Sequence, residues 1–473
     1  MDTNHSLTRR QFLQASAAGL SFMYLPGIGR VKARPFALMN FGDDFGRLCY
    51  NENPLGPSPL ALDALKQAAH QANRYPDWYS SNLESDIAAY HGLQSNNICA
   101  GTGATEVIRL IADAYLSAGD EMITATPTYF QMAYEATANG ASVVYVPVDQ
   151  NYVIDLNGIS QAITQNTRLI SLVNPNNPLA TCINKADMDD FLNSVPSGIV
   201  VVVDEAYHHY VHTSVYESCI PFVTAGLPVI VVRTFSKAHG LAGARIGYSV
   251  ASSQYTNQIA SSQNFGMVSR SSQTAAQAAL EDMQHVTNTV TLNDQAKEIL
   301  QAGFTDLGLD YIPSETNFMM FDTSTSASWV ASELAARGYQ VRTGWGMPQH
   351  IRVSTGLLKE MHGFIRALKD ILSQGVVAGT QPIFGLNRVY PNPFHAQCTI
   401  KITTFGNEKV FLAIYDASGR KVQTLVNETL IPGVHHITWN GRDVHGRRVA
   451  SGVYVVNLLQ GEFATSAKVT LVR

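Results

Sequence analysis

Apolar runs and segments with helical apolar spacing follow one another along the chain from about residue 100. Leu169-Ile-Ser-Leu-Val173 and Val200-Val-Val-Val-Asp204 are short and almost continuously apolar, which is typical of parallel strands buried on both faces. The glycine-rich segment Gly101-Thr-Gly leads into apolar residues at helical spacing over Val107–Leu116. These patterns predict an α/β fold in which a glycine-rich turn opens a helix.

The pattern changes after Leu372, where a stretch with Gly and Pro and without a helical period predicts a linker over residues 374–386. Six later segments alternate in places between apolar and polar residues and are separated by Gly turns: Cys398–Thr403, Lys409–Tyr415, Lys421–Val426, His435–Trp439, Gly452–Leu458 and Lys468–Val472. This spacing is typical of a small β-sandwich. We therefore predict a separate β-domain over residues 387–473.

The segment Arg233-Thr-Phe-Ser-Lys-Ala-His-Gly-Leu-Ala-Gly-Ala-Arg245 carries the most informative chemistry in the chain. Lys237 can form an imine with the aldehyde of pyridoxal phosphate. The hydroxyls of Thr234 and Ser236 and the guanidinium of Arg245 offer donors to the phosphate of that cofactor. The alternative is an ordinary loop that happens to contain a lysine and an arginine.

Polar residues also follow both predicted strands. Asp204 ends an apolar strand, where ligands of open α/β sheets bind, and its carboxylate can keep a pyridinium nitrogen protonated. Asn177 and Tyr207 can donate to the ring oxygen of the same cofactor. Tyr129 follows Thr126-Pro-Thr and can stack on the ring. Together these residues favour a pyridoxal phosphate site.

The start of the helix that follows Gly103-Ala104-Thr105 offers free backbone amides to a phosphate. A glycine-rich turn is weak evidence alone, and the glycine spacing of a dinucleotide-binding Rossmann motif is absent. We therefore expect a phosphate contact there and no dinucleotide site.

Residues 46–373 resemble the fold-type-I pyridoxal phosphate aminotransferases, and most closely the histidinol-phosphate aminotransferase family. The family's motifs occur in its order: Asn51-Glu-Asn-Pro54, Arg74-Tyr-Pro-Asp77, Gly103-Ala-Thr-Glu, Asn176-Asn-Pro, Asp204-Glu-Ala-Tyr, Ser236-Lys-Ala, Ser314-Glu-Thr-Asn317 and Ile351-Arg-Val-Ser-Thr-Gly356. The resemblance implies a large domain with a mostly parallel sheet, a small α+β lobe and a homodimer.

The resemblance also implies roles for individual residues. Lys237, Asp204 and Tyr207 would be catalytic, and Arg352, Arg342 and Asn53 would bind substrate. The cofactor would be held by Gly103, Ala104, Thr105, Tyr129, Asn177, Asp204, Tyr207, Thr234, Ser236, Lys237, Arg245 and, from a neighbouring subunit, Tyr75. The implied activity is ping-pong transamination through an imine at Lys237. It would join an L-amino acid or an amino-phosphate such as histidinol phosphate to a 2-oxo acid such as 2-oxoglutarate.

Two departures from the family and several alternatives bear on this interpretation. The family continues Asn-Pro with Thr-Gly, whereas this chain has Leu179-Ala180, and Thr105 stands where these enzymes often carry an acid. Arg342 is equally well interpreted as a solvated arginine at a strand end. Aromatic aminotransferases and threonine-phosphate decarboxylases have similar scaffolds, and a surface-displayed scaffold without turnover is the non-enzyme alternative.

Both chain ends predict export. Thr8-Arg9-Arg10-Gln-Phe12-Leu13, followed by an uncharged stretch, resembles a twin-arginine signal peptide over residues 1–33. Residues 387–473 resemble the Ig-like C-terminal sorting domain of type IX secretion substrates through Tyr390-Pro-Asn-Pro-Phe394, Ile414-Tyr-Asp-Ala-Ser-Gly419, Trp439-Asn-Gly-Arg-Asp443 and Ser451-Gly-Val-Tyr454. We expect export machinery as a partner at both termini, and a periplasmic or cell-surface location. The sandwich could alternatively be an adhesive passenger.

Composition narrows the remaining classes of function. The formal net charge is −5, and no basic stretch indicates a nucleic-acid partner. The five cysteines lack the paired spacing of a zinc site, so no metal is expected. The pairs His208-His209 and His435-His436 are expected on strand or loop surfaces.

Overall fold

The computed structural model describes residues 46–264, 266–373, 385–404, 409–416, 419–431, 433–460 and 463–472. These residues fall into two compact units, which we call the large unit (46–373) and the C-terminal unit (385–472). The predicted signal peptide and most of the predicted linker lie outside the described residues. None of the described helices combines the length and the apolar character that crossing a membrane requires.

The large unit alternates strands and helices over most of its length. Its strands are β1 Gly46–Arg47, β2 Ile98–Gly101, β3 Glu121–Thr126, β4 Ser142–Pro147, β5 Thr167–Val173, β6 Val200–Asp204, β7 Val229–Thr234, β8 Gly247–Val250, β9 Tyr311–Ile312, β10 Phe318–Asp322, β11 Tyr339–Gln340, β12 Arg342–Gly344 and β13 Met347–Ser354. Its α-helices are α1 Pro59–Ala69, α2 Ser81–His91, α3 Gly103–Tyr115, α4 Gln131–Ala138, α5 Leu156–Gln161, α6 Lys185–Ser194, α7 Ile220–Thr224, α8 Ser253–Ala260, α9 Arg270–Glu281, α10 Met283–Asp306, α11 Ala327–Ala336 and α12 Leu358–Ser373. Short 3-10 helices cover Ser95–Asn97, His208–Tyr210 and Ala242–Ala244.

A seven-stranded sheet with the order β2-β8-β7-β6-β5-β3-β4 forms the centre of the large unit. Strands β3 to β7 are parallel, and β8 is antiparallel to both of its neighbours. Along β6, Val201 and Val203 join one apolar cluster whereas Val200 and Val202 join another. Successive side chains of a strand point to opposite faces, so the sheet is covered on both sides. This explains the continuously apolar sequence of β5 and β6 and confirms the predicted α/β architecture.

A smaller α+β lobe of the large unit is built on an antiparallel sheet with the order β12-β13-β10-β9. Helix α12 buries Met361, Phe364, Leu368 and Ile371, which recur every three or four residues and therefore lie on one helix face. They pack with residues of α10, α11, β10 and β13 in a common apolar core. This lobe carries one wall of the cavity described below.

The C-terminal unit contains seven described strands in two sheets. They are β14 Gly385–Tyr390, β15 Cys398–Thr404, β16 Lys409–Asp416, β17 Lys421–Thr429, β18 Gly433–Trp439, β19 Gly452–Gln460 and β20 Phe463–Leu471. The sheets have the orders β14-β15-β18 and β17-β16-β19-β20, and they share an apolar core around Trp439 and Phe394. The six predicted segments are thus strands of a small sandwich.

Strand β14 is the described strand of the C-terminal unit that the sequence did not predict. It begins at Gly385, inside the predicted linker and two residues before the predicted start of the β-domain. Its register against β15 shifts between Leu386 and Arg388. This irregularity breaks the apolar alternation by which strands are recognised in a sequence.

Candidate active site

A cavity of about 500 Å³ opens in the large unit where β5, β6 and β7 end. Val173, Asp204 and Thr234, the last residues of these strands, line it. The carboxyl ends of parallel strands are where open α/β sheets bind ligands. Twelve of the residues singled out in the sequence line the same cavity: Ala104, Thr105, Tyr129, Asn177, Asp204, Tyr207, Thr234, Ser236, Lys237, Arg245, Arg342 and Arg352.

Lys237 follows β7 and extends its amine across the cavity floor. Its Nζ donates to the backbone oxygens of Tyr50 and Asn51, each at 3.1 Å, and lies 5.6 Å from the centre of the Tyr207 ring. Burial, together with the positive charge of Arg352, lowers the pKa of Lys237 to about 8. With this pKa roughly a tenth of the lysine is a neutral amine at pH 7, which is the form that a nucleophile or general base requires.

Asp204 ends β6 as a buried carboxyl group. Its Oδ1 accepts a hydrogen bond from the backbone N–H of Ala206 at 3.0 Å. Burial raises the pKa of Asp204 to about 6, and the Ala206 bond and the charge of Lys237 oppose that rise only in part. Within the part of the chain that the structure describes, no lysine or arginine forms an ion pair with this carboxylate. A cationic ring nitrogen of a ligand would be a suitable ion-pair partner for such a carboxylate.

Tyr207 presents a phenol beside the same cavity. Its oxygen accepts hydrogen bonds from Nδ2 of Asn51 at 3.0 Å and from Nδ2 of Asn177 at 3.3 Å. Burial raises the pKa of Tyr207 to about 12, so the phenol keeps its proton. Because the oxygen already accepts two bonds, the hydroxyl proton is available to an acceptor on a ligand.

A cluster of hydroxyl and cationic groups lies at the other end of the cavity, where helix α3 begins. The hydroxyls of Thr234 and Ser236 are 3.0 Å apart, and the Arg245 side chain lies over Gly103, the first residue of α3. Gly103 has a φ of +77°, which favours glycine, and a side chain there would displace the Arg245 guanidinium. Free amides at the helix start, two hydroxyls and a guanidinium together form a site for a phosphate.

Arg352 lies on β13 and carries a buried guanidinium that is only partly used. Its Nη1 donates to Oδ1 of Asn177 at 2.6 Å, and its Nη2 donates to the backbone oxygen of Cys49 at 2.7 Å. Its Nε has no hydrogen-bond partner among the described residues. Burial lowers the pKa of Arg352 to about 10, which leaves the group cationic at neutral pH. The N–H groups that remain on Nη1 and Nη2 can bind an anionic substrate group, whereas Nε is enclosed by protein atoms.

Three of the expected site residues do not line this cavity: Gly103, described above, Asn53 and Tyr75. Asn53 is buried and donates to the backbone oxygen of Ala238 at 3.0 Å and to the hydroxyl of Thr289 at 2.9 Å. Its amide therefore fixes the backbone near Lys237 rather than facing a ligand. Tyr75 is 81% exposed and lies outside the cavity of its own chain.

Other lining residues were not singled out from the sequence. Arg47, Tyr50, Asn51 and Glu52 form one wall, in which Arg47 pairs with Glu52. The Asn51-Glu-Asn-Pro54 motif marked this segment but not which of its residues face the cavity. Asn51 has a φ of +55°, which turns the chain so that Asn51 and Glu52 line the cavity.

The expectation that His208 and His209 lie on the surface is wrong. Both belong to a 3-10 helix and are half-buried, and His208 hydrogen-bonds to Arg233. Burial holds the pKa of each imidazole well below its usual value. The described residues contain no cluster of three or more His, Cys, Asp or Glu side chains that could hold a metal.

Comparison with known proteins identifies relatives of both units. Residues 43–368 match the model of aminotransferase class I and II, and residues 397–460 match that of the FlgD Ig-like domain. The histidinol-phosphate aminotransferase of Moorella thermoacetica is 38% identical over 333 residues, which are 70% of this chain and 86% of the relative. The enzyme of the same name from Akkermansia muciniphila is 38% identical over 331 residues, 70% of this chain and 90% of the relative.

Solved structures give the same picture of the large unit. Histidinol-phosphate aminotransferase from Sinorhizobium meliloti, in complex with pyridoxal-5'-phosphate, matches with a TM-score of 0.66 and 28% identity over 70% of this chain and 91% of that one. L-threonine-O-3-phosphate decarboxylase from Porphyromonas gingivalis matches with a TM-score of 0.62 at 20% identity, over 69% of this chain and 99% of that one. The second likeness is one of fold.

Proposed function

Since the chain belongs to the class I and II aminotransferases, whose cofactor is pyridoxal phosphate, we propose that it is a histidinol-phosphate-type transaminase. It would transfer an amino group from histidinol phosphate, a similar amino-phosphate or an L-amino acid to a 2-oxo acid such as 2-oxoglutarate. The observation that carries the proposal is one cavity that joins the Lys237 amine, the buried Asp204 carboxyl and a partly unused Arg352. The relatives with this name support the choice of donor.

The residues of the cavity fit pyridoxal phosphate. Asp204 offers a buried carboxylate to a protonated ring nitrogen, and Tyr207 offers its hydroxyl proton to the ring oxygen. Thr234, Ser236 and Arg245 would hold the phosphate together with the start of α3. When bound, the cofactor supplies an aldehyde that condenses with amines and a ring that accepts electrons.

The protein's own groups then bind the substrate and move its proton. The neutral Nζ of Lys237 would accept the proton from the α-carbon of the amino donor and become an ammonium group. This ammonium group would then give the proton back to the reacting substrate. Arg352 would hold the carboxylate or phosphate of donor and acceptor in turn. Arg342 lies exposed at the cavity wall, where it would add a second cation for the same anion or for a distal carboxylate.

Donor and acceptor would use one cavity in succession, so the kinetics are expected to be ping-pong. Initial rates measured over a grid of histidinol phosphate and 2-oxoglutarate concentrations should give parallel double-reciprocal lines. Aromatic and acidic L-amino acids serve as the competing donors. Intersecting lines would contradict the ping-pong mechanism, and turnover of an aromatic donor above that of histidinol phosphate would contradict histidinol phosphate as the preferred donor.

We infer that a second copy of the chain completes the site. Tyr75 is 81% exposed and Tyr79 65% exposed, and Trp78 between them is 49% exposed, which is unusual for large aromatic side chains. In the family a tyrosine at the position of Tyr75 reaches the cofactor phosphate of the neighbouring subunit. A partner's Tyr75 would add a phenol donor beside Arg245.

Mixing two defective variants tests this arrangement. Lys237→Ala and Tyr75→Ala would each damage a different part of the site. A hybrid dimer of the two would contain one intact site, so mixing and refolding should recover up to about a quarter of wild-type activity per chain. Absence of recovery, together with a monomeric wild-type protein in sedimentation, would rule the shared site out.

We also infer export. Arg9-Arg10 and the uncharged stretch after them support a twin-arginine signal, although these residues lie outside the described ones. The FlgD Ig-like match supports an Ig-like module, and the motifs around Tyr390, Gly419 and Asp443 support a sorting role for it. The protein would then act in the periplasm or at the cell surface.

Two changes test the export proposal separately. Arg9→Lys combined with Arg10→Lys should retain the protein in the cytoplasm, because the paired arginines are the feature that the export receptor reads. Removal of residues 387–473 should leave activity intact and abolish surface display. Display that persists after this removal would exclude the sorting role and favour an adhesive passenger.

A further inference from the structure

The turn between β12 and β13 has an unusual backbone. Gly344, Trp345 and Gly346 have φ values of +128°, +58° and +74°, so three successive residues occupy the region that favours glycine. A tryptophan at the centre of such a turn is strained, and strain of this kind is retained mainly where surrounding structure or function requires it. The turn places the half-buried indole of Trp345 in the lining of the cavity.

The indole of Trp345 contacts both an apolar cluster and a charged group. It lies against the buried apolar cluster of Leu179, Ile312 and Met320. The guanidinium carbon of Arg352 is 5.2 Å from the centre of the Trp345 ring and 5.2 Å from the centre of the Phe318 ring. A cation at this distance from the face of an aromatic ring is attracted by the ring's quadrupole.

Hydrogen bonds to the protein also hold the Arg352 guanidinium in place. Asn177 and Cys49 accept one N–H bond each from its two Nη atoms. Two of the five N–H groups are therefore used by the protein, and the Nε group has no partner among the described residues.

We propose that Trp345 is a positioning residue that holds the Arg352 guanidinium in place. A substrate anion would then bind only to the N–H groups of Arg352 that the protein leaves unused. This proposal rests on the proposed transaminase function. Two oxygens of a carboxylate or a phosphate can pair in the guanidinium plane as a bidentate fork. Donor and acceptor would use the same fork, so the indole would affect the binding of both.

The matched pair Trp345→Phe and Trp345→Leu tests this role. Both variants shorten the side chain and keep an apolar group against the Leu179 cluster, but only Phe keeps an aromatic face for Arg352. Trp345→Leu should raise the KM of donor and of 2-oxo acid by roughly tenfold, with kcat changed by no more than about threefold. Trp345→Phe should restore both KM values to within about threefold of wild type.

A direct binding measurement supplies a readout that does not depend on turnover. Calorimetric titration of 2-oxoglutarate into the holoenzyme, without an amino donor, should show about tenfold weaker binding for Trp345→Leu and near-normal binding for Trp345→Phe. Trp329→Leu is the control, since Trp329 is a half-buried tryptophan of the same lobe that lies outside the cavity lining. Its 2-oxoglutarate affinity should equal that of wild type.

The outcomes separate this inference from the function on which it rests. If wild type transaminates as proposed but the Leu and Phe variants bind 2-oxoglutarate equally well, the positioning role of Trp345 is wrong. If the two variants differ as expected but no amino donor is turned over by wild type, the proposed function fails while the geometry of the anion site stands. A Trp345→Leu effect that persists at full strength in an Arg352→Lys background would also contradict the inference, because the indole is expected to act through Arg352.

Discussion

The two units of the chain differ in what they bury. The large unit buries ionisable side chains at the cavity and beside it, including Asp204, Glu205, Arg233 and Arg352. In the described part of the C-terminal unit the buried polar residues are uncharged: Thr403, Thr404 and Gln460. Burying a charge costs stability unless it is paired, and Glu205 and Arg233 pair with each other. The unpaired burial of Asp204 and Arg352 is therefore the part that a chemical role explains. The comparison therefore favours the large unit as the site of catalysis.

Asp204 shows how much stability a buried charge costs. Its pKa rises from the ordinary 3.8 to about 6 in the folded protein, so the native state binds the proton more tightly than the unfolded chain. Stability therefore falls as the pH rises from about 4 to about 6, and above that range the penalty is roughly 3 kcal/mol. A cationic ring nitrogen beside the carboxylate would remove much of this penalty, which links cofactor binding to stability.

The largest expected effect is loss of activity in Lys237→Ala. Removing the amine that we propose moves the α-proton should lower kcat by at least about a thousandfold. The variant should remain folded, as judged by circular dichroism. Lys297→Met is the matched control, because the buried Lys297 donates to the backbone oxygen of Ser314 and pairs with Asp294 instead of lining the cavity. It should lose stability and keep kcat, the opposite pattern.

Trp439→Ala is a change in the core of the C-terminal unit. Trp439 is fully buried, lies 5.3 Å from Phe394 and 5.1 Å from Tyr454 between ring centres, and donates to the backbone oxygen of Arg442 at 3.0 Å. Its loss should destabilise the sandwich by about 3–5 kcal/mol. Calorimetry should show a lower transition for the C-terminal unit while transaminase activity per chain stays normal.

The control for this change is Val453→Ala, which removes a 47%-exposed side chain of the same unit and should alter neither transition. A parallel loss of activity in Trp439→Ala would show that the units are energetically coupled, against the division of roles drawn above.

Asp204→Asn should reduce activity and yet raise the melting temperature of the cofactor-free protein at pH 8. The amide removes the burial penalty of a carboxylate that is ionised at that pH. At pH 4 the native carboxyl is already protonated, so the two proteins should melt within about a degree of each other. Equal melting temperatures at both pH values would mean that Asp204 is not held at a raised pKa.

The smallest expected effect belongs to Ala180→Gly in the loop that departs from the family pattern. Ala180 is buried with a φ of +65°, where an alanine costs about 1–2 kcal/mol. Replacing it with glycine relieves this strain but removes a buried methyl and adds flexibility to the unfolded chain, each worth about 0.5–1 kcal/mol. Denaturant unfolding should therefore differ by less than about 1 kcal/mol. A change above 2 kcal/mol in either direction would contradict this balance.

The sequence predicted those parts of the molecule that local pattern determines. Local pattern identified the apolar runs of β5 and β6, the start of α3 and the cluster around Lys237. Each of these is a continuous segment of the chain, so its structure and chemistry could be inferred together. The role of Asp204 was inferred from its place at the end of an apolar strand, whereas the role of Arg352 depended on a family motif, and both residues line the cavity.

The rest of the site depends on features that no local pattern reveals. Asn51 and Trp345 reach the cavity through backbone of positive φ, and Asn51 contacts Tyr207, which lies 156 residues away in the sequence. Burial of the His208-His209 pair likewise depends on packing around Arg233, which lies 25 residues from His208 in the sequence. Sequence patterns describe faces of single elements, whereas these positions are set by tertiary packing.

The account is tested most directly by titrating the cofactor-loaded protein, without residues 1–33, with L-histidinol phosphate while recording the visible absorbance of the cofactor. It predicts stoichiometric loss of the visible band with this donor, little change with aromatic L-amino acids at equal concentration, and recovery of the band on adding 2-oxoglutarate. A band that no donor alters would contradict the transaminase assignment, and a band bleached first by an aromatic donor would contradict the choice of substrate.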